Sequence, residues 1–126
     1  MSALALGRQM LEGWNSGSFE LVFATFDPDI VVRPDANWPE GVYFGRDSAE
    51  RFWQSVRDNL GGSVVTVEDE HDLGDRSFWR VHQPVHSASG VESGYSWSFL
   101  VTARSDSVIL VEFFIDDARI RAELGL

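Results

Sequence analysis

The sequence has no cysteine. Disulfides, thiolate metal sites and cysteine nucleophiles are therefore excluded, and such usage fits a reducing cytoplasm. Cations are few beside carboxylates: 10 Lys and Arg against 20 Asp and Glu give a formal net charge of −10. A surface of that sign repels phosphate backbones, which argues against nucleic acid or an anionic membrane as partner. No apolar run approaches the length of a membrane span. The opening MSALALGRQM lacks the basic start and apolar core of a secretion signal, so a cytoplasmic location is the expectation. There is no glycine-rich phosphate loop, serine elbow or dinucleotide fingerprint. Internal repeats and low-complexity linkers are also missing.

What the sequence does have is aromatic rings. Five Trp and nine Phe are many for 126 residues. The hydrophobic share of 44% is ordinary for a globular protein. One domain over residues 1–126 is the expectation, long enough to bury a core without staples. The aromatic excess then points to an aromatic-rich core or cavity.

The periodicity places helices first. Ala3, Leu6, Met10 and Trp14 share a face at spacings of three and four, predicting a helix over 3–16. Ser18 can cap a second helix with Phe19, Val22, Phe23 and Phe26 as its stripe, stopped by Pro28. Ile30, Val31 and Val32 read as a short strand, followed by a loop with Pro34, Trp38, Pro39 and Gly41. Asp47, three residues before Glu50, predicts a capping box for a third helix carrying Ala49, Phe52, Trp53, Val56 and Leu60. Gly61 and Gly62 supply its stop.

Beyond Gly62 the period changes to two. Residues 63–73, 77–85, 92–103 and 108–115 read as strands. In Tyr95-Ser96-Trp97-Ser98-Phe99, aromatic and serine side chains alternate between faces. Helices followed by long consecutive strands predict an α+β fold with an antiparallel-rich sheet. The strand 108–115 is apolar on both faces except at Glu112. Its second face needs cover from a helix or another subunit, which motivates a homodimer.

Three stretches, "WNSGSFELVFATFDPDIVVRPD", "WPEGVYFGRDSAERFW" and "VILVEFFIDDARIRAELGL", span nearly the whole chain in a telling order. With them the sequence resembles the SnoaL-like branch of the nuclear transport factor 2-like superfamily. The resemblance implies a cone-shaped, strongly curved sheet of mixed but mainly antiparallel strands, wrapped around N-terminal helices. It also implies an apolar pocket open at one end, and dimers through the sheet. The superfamily includes cofactor-free polyketide cyclases, steroid isomerases, dehydratases and epoxide hydrolases, and also non-catalytic binding and association domains. Fold alone does not choose among them.

Asp35 is the catalytic candidate. It follows the first strand and precedes Gly45 by ten residues, near where the resemblance places the isomerase base. A carboxylate facing an apolar pocket can move a proton beside a carbonyl. The plain alternative is a solvated turn residue in "RPDAN". The isomerase oxyanion hole is a tyrosine plus a protonated aspartate. The corresponding positions fall near Met10 and Ser98, of which only Ser98 could donate, weakly and only if it points inward. Asp116 lies near the cyclase acid–base position, but Asp116 or Asp117 also suits the cap of a short helix over 118–124. Glu112, if buried, needs a partner, for which Arg80 is a candidate. An epoxide hydrolase network of Asp35, Arg33 and Glu112 finds no support in the sequence.

His82 and His86, four apart on a strand, would stand about 13 Å from each other, too far to share a metal. His71 has no ligand spacing around it, so no metal and no cofactor is expected. Trp38, between Asn37 and Pro39 in a loop, has little reason to be there unless it closes something. The expected pocket for a small apolar or aromatic ligand is thus assigned Trp14, Trp38, Tyr43, Trp53, His82, Trp97 and Glu112, with indole N–H groups as donors. Two functions remain open: cofactor-free acid–base chemistry on an apolar carbonyl compound, or non-catalytic ligand binding and association.

Overall fold

The computed structural model describes residues 1–36, 41–60, 64–86 and 92–126, with backbone only for residues 60, 85, 86, 92 and 93. Trp38 therefore lies outside the described residues, as does the Gly61-Gly62 stop. The elements run α1 (Ala3–Ser16), α2 (Phe19–Phe23), β1 (Phe26–Arg33), β2 (Tyr43–Phe44), α3 (Arg46–Leu60), β3 (Thr66–Asp72), β4 (Arg76–His86), β5 (Glu92–Arg104), β6 (Ser107–Phe114) and α4 (Asp117–Leu124). One six-stranded sheet has the order β2-β1-β6-β5-β4-β3. Among the described residues only the β1–β6 pair is parallel. The sheet curves around the helices, giving the expected α+β architecture. No described helix is long and apolar enough to cross a membrane.

Helix α1 is bounded as its sequence dictates. Ser2 accepts from the Ala5 N–H at the start, and Gly17, at φ 75°, takes the left-handed position after the end. Asn15 then grips Val65 at both ends of its amide: Nδ2 donates to the Val65 carbonyl at 3.1 Å, and Oδ1 accepts from its N–H at 2.8 Å. This fixes the approach to β3, which begins at Thr66 rather than at residue 63.

Two helix boundaries differ from the expectation. The second helix closes at Phe23, where Thr25 Oγ1 donates to the Val22 carbonyl at 2.7 Å. Phe26 and Pro28 therefore lie on β1, and Pro28 falls where the β1–β6 register shifts. A residue without a donor is tolerated at such an irregularity. The third helix starts at Arg46, one residue before Asp47. Glu50 pairs with Arg46 at 3.4 Å instead of reaching back to the cap. Asp47 still places negative charge in the first turn, where the helix dipole favours it.

The core lies between the helices and the concave face of the sheet. Leu6, Met10 and Trp14 of α1 and Ala49, Phe52 and Trp53 of α3 meet Ile30, Val32, Trp79, Val81, Phe99, Val101 and Val111 from the strands. A smaller cluster on the convex face joins Phe78, Leu100 and Phe114 to Ile120 and Leu124 of α4. Helix α4 thus supplies part of the cover that the second face of β6 requires.

Helix α1 comes close against the sheet at Gly7. A Cβ there would stand 2.5 Å from Trp79 Nε1. Trp79 is buried and its N–H donates to Ser77 Oγ at 2.8 Å. Gly7→Ala gains about 1 kcal/mol of helix propensity, but overpacking a fixed ring costs about 1–3 kcal/mol. We predict a net loss of stability and a lower urea midpoint; a raised midpoint would show that α1 can shift off Trp79.

Candidate functional site

The helices cover the concave face incompletely, leaving a cavity of about 400 Å³. Met10, Leu11 and Trp14 of α1 line one side, and Phe52, Trp53 and Val56 of α3 another. The sheet contributes Val81, Trp97, Phe99 and Phe113. Near its mouth stand Tyr95, 59% exposed, and Ile115, 64% exposed. The walls hold one another: the Phe113 ring centroid lies 5.6 Å from Phe52, 5.9 Å from Trp53 and 5.8 Å from Phe99. Such tilted contacts suit the ring quadrupoles and stiffen the wall.

Asp35 stands at the rim. Strand β1 ends at Arg33, and its parallel pairing of Arg33 with Glu112 brings the ends of β1 and β6 together. Pro34 turns the chain, and Asp35 Oδ2 accepts from the Ile115 N–H at 2.9 Å. Asp35 lines the cavity on one side and, on the other, a groove of about 320 Å³ on the convex side.

The expected ligand residues divide accordingly. Trp14, Trp53 and Trp97 line the cavity. Trp53 is also a core residue, packed on Phe26 at 5.2 Å and Phe52 at 5.5 Å. Neither Trp53 nor Trp97 donates its indole N–H to a protein acceptor among the described residues. Tyr43 packs against Phe52 at 5.0 Å and is not among the lining residues. Glu112 faces the convex groove, where its partner at 3.4 Å is Arg33 and not Arg80. His82 also leaves the cavity: its Nδ1 lies 2.9 Å from Ser96 Oγ, which donates to Glu68 at 3.1 Å. Its ring rests on Gly94, where a Cβ would be 2.4 Å away. The reason is the period of two: Val81 takes the concave face, so Arg80 and His82 take the other.

Ser98 likewise points to the convex face, donating to Asp117 Oδ1 at 2.5 Å. It can offer nothing to the cavity. Asp116 is the cap of α4, accepting from the Arg119 N–H at 3.1 Å. The expected set omits most of the lining, including Tyr95, Phe99, Phe113 and Ile115. The alternation through Trp97 and Val111 carried the signal for the first three; Ile115 depends on where β6 ends.

An ionic cluster fastens α4 to the sheet. Arg121 bridges Asp117 at 2.7 Å and Asp69 at 2.8 Å, its guanidinium 4.8 Å from the Phe78 ring. For Asp117, burial opposes the charge, but bonds from Ser98 and Arg121 outweigh it and hold the carboxyl below its ordinary 3.8. For Asp69, bonds from Arg121 and then His71 lower the carboxyl from 3.8. Arg121 is raised by the same carboxylates and stays charged. Both acids are depressed in the folded chain, so their stabilisation is complete above the unfolded value and fades as pH falls through the folded values. We predict that Arg121→Met costs about 1 kcal/mol at pH 7, allowing for solvent screening. In urea titrations the gap to the parent should close below about pH 4; a gap independent of pH would contradict this.

A curved six-stranded sheet folded over helices is the α+β fold of the NTF2-like and cystatin-like solved structures that this chain resembles. Within it the chain belongs to the SnoaL-like domain family, whose model matches residues 7–122. No curated protein matches the sequence. Among solved structures the chain is similar to TerC co-crystallized with polyporic acid, at 16% identity, 98% of each chain and TM-score 0.76. An NTF2-like protein of unknown function from Burkholderia pseudomallei gives 16% identity, 97% of each chain and TM-score 0.76. A putative SnoaL-like polyketide cyclase from Jannaschia sp. CCS1 gives 15% identity over 95% of this chain and 89% of that one, with TM-score 0.75. Identities this low establish the shared fold alone.

Proposed function

We propose that the protein binds a small, largely apolar aromatic carbonyl compound in the concave cavity, and that Asp35 acts on it as general base. The observation that carries this is Asp35 itself: a carboxylate on the rim of an otherwise aromatic and aliphatic cup. A base so placed can take a proton from the carbon beside a carbonyl that enters the cup. The unused indole donors of Trp53 and Trp97 are suited to the carbonyl oxygen. A related fold co-crystallized with polyporic acid lends support to a small organic ligand.

A second reading is binding without chemistry. In its favour, Asp35 Oδ2 is already engaged with the Ile115 N–H. Met10 and the outward Ser98 also leave no strong oxyanion donor at the isomerase positions. A second copy of the chain is the proposed partner. Its support is a convex row of Phe44, Val31 and Leu110 in register, with Phe44 72% exposed.

Proton transfer can be read directly with 2-tetralone, a flat aryl ketone with acidic protons beside the carbonyl. In D₂O the protein should speed hydrogen–deuterium exchange at those carbons, and Asp35→Asn should slow it by about 100-fold. Bound 2-tetralone that exchanges equally with the parent and Asp35→Asn would leave the binding reading in place. For the dimer, Phe44→Glu should lower the mass seen by sedimentation; a parent already monomeric would refute the second copy.

A further inference from the structure

The cavity has a sign. All ten Lys-plus-Arg positions are arginine, and none lines the cavity. Most are engaged elsewhere: Arg57, beside the lining residue Trp14, donates to the Trp14 carbonyl at 2.7 Å with its guanidinium 4.7 Å from the Trp14 ring. His71 and His82 are on the convex side, bonded to Asp69 and Ser96. Among the described lining residues the single formal charge is therefore negative, at Asp35.

That charge sits beside aromatic faces. Ser98 pairs with Phe114, so Trp97 and Ile115 follow at the same end of β5 and β6. Asp35 is bonded to the Ile115 N–H, and Tyr95 stands two residues from Trp97 near the mouth. A carboxylate that lines the same cavity as a tryptophan and a tyrosine offers a cation two attractions, its own charge and the ring quadrupoles. The net charge of −10 adds a long-range field of the same sign. At the mouth a ligand's charged group stays partly hydrated, so it escapes the penalty of burying an ion. The deeper walls, from Phe52 to Phe113, are mainly apolar and carry no formal charge.

We infer that the cavity recognises an aryl-bearing amine in its protonated form, with the aryl group in the cup and the ammonium at the rim against Asp35 and the Trp97 and Tyr95 rings. This rests on the cavity being the ligand site, not on whether Asp35 moves a proton. It goes beyond that reading by assigning the ligand a charge: anionic compounds are turned away, and neutral ones bind without the ionic contact.

Three probes of one shape test it: 4-biphenylmethylamine, 4-biphenylmethanol and 4-biphenylcarboxylate, titrated at pH 7 and low salt while the tryptophan indole N–H signals are followed by NMR. The amine should bind about three- to tenfold more tightly than the alcohol, and the carboxylate more weakly than the alcohol. Asp35→Asn should bring the amine down to the alcohol and leave the alcohol unchanged. Raising the salt should narrow the amine's advantage in the parent without any substitution. An alcohol or carboxylate that binds as tightly as the amine overturns the inference but leaves the cavity reading standing. So does an amine preference that survives both Asp35→Asn and high salt. If none of the three shifts the indole signals, the cavity itself is not a ligand site and both readings fall.

Discussion

The joint between α3 and the sheet is the contact on which the rest depends. Phe52 and Trp53 of α3 lean on Phe113 of β6, and Phe113 leans on Phe99 of β5. These four rings do two jobs at once. They bury the apolar face of α3, and they form one wall of the cavity. Because close-packed interiors resist rearrangement, the wall keeps its shape with nothing bound. The opposite wall depends on α1, whose distance from the sheet is set by Gly7 against Trp79. The cavity is what remains when two helices of fixed reach are laid across a curved sheet wider than they can cover.

The polar element of the site comes from a different constraint. The parallel pairing of β1 with β6 sends both strands out at the same end. Asp35 and Ile115 emerge side by side there and are tied by a hydrogen bond. The carboxylate is thus held by backbone geometry, at the boundary between an apolar cavity and a charged groove. The hydrogen bond to the Ile115 N–H gives the group a defined position. The ionic network that does exist, Arg121 with Asp69 and Asp117, serves α4 on the convex face.

Much of the fold was legible because it is written in periods. The four long strands, the first helix and the α+β order all follow from spacing and turn residues. The errors fell where a local rule had a competitor. Pro28 reads as a helix stop, yet Thr25 had already closed the helix and a bulge accepts the proline. Asp47 reads as a cap, but Glu50 is taken by Arg46. For the site, the alternation Tyr95-Ser96-Trp97-Ser98-Phe99 separates faces but does not say which face is concave. That choice sends Ser98, His82 and Glu112 to the convex side, and only the packing of Val81 and Val111 against the helices decides it. The partners of Glu112 and Arg80 depend on register between distant strands, which no local pattern encodes. Tyr43 reads as a pocket residue because it sits among loop aromatics, whereas β2 turns its ring onto Phe52.

On the proposed reading, a ligand enters the concave cavity and not the groove on the other side of Asp35. The direct measurement is a set of intermolecular nuclear Overhauser effects from bound 2-tetralone. The account predicts contacts from its ring protons to the Trp53 and Trp97 indoles and to the Val56 methyls, all in the cavity. Contacts to Val42 and Ile120 in the convex groove, with none to Trp53, would contradict it.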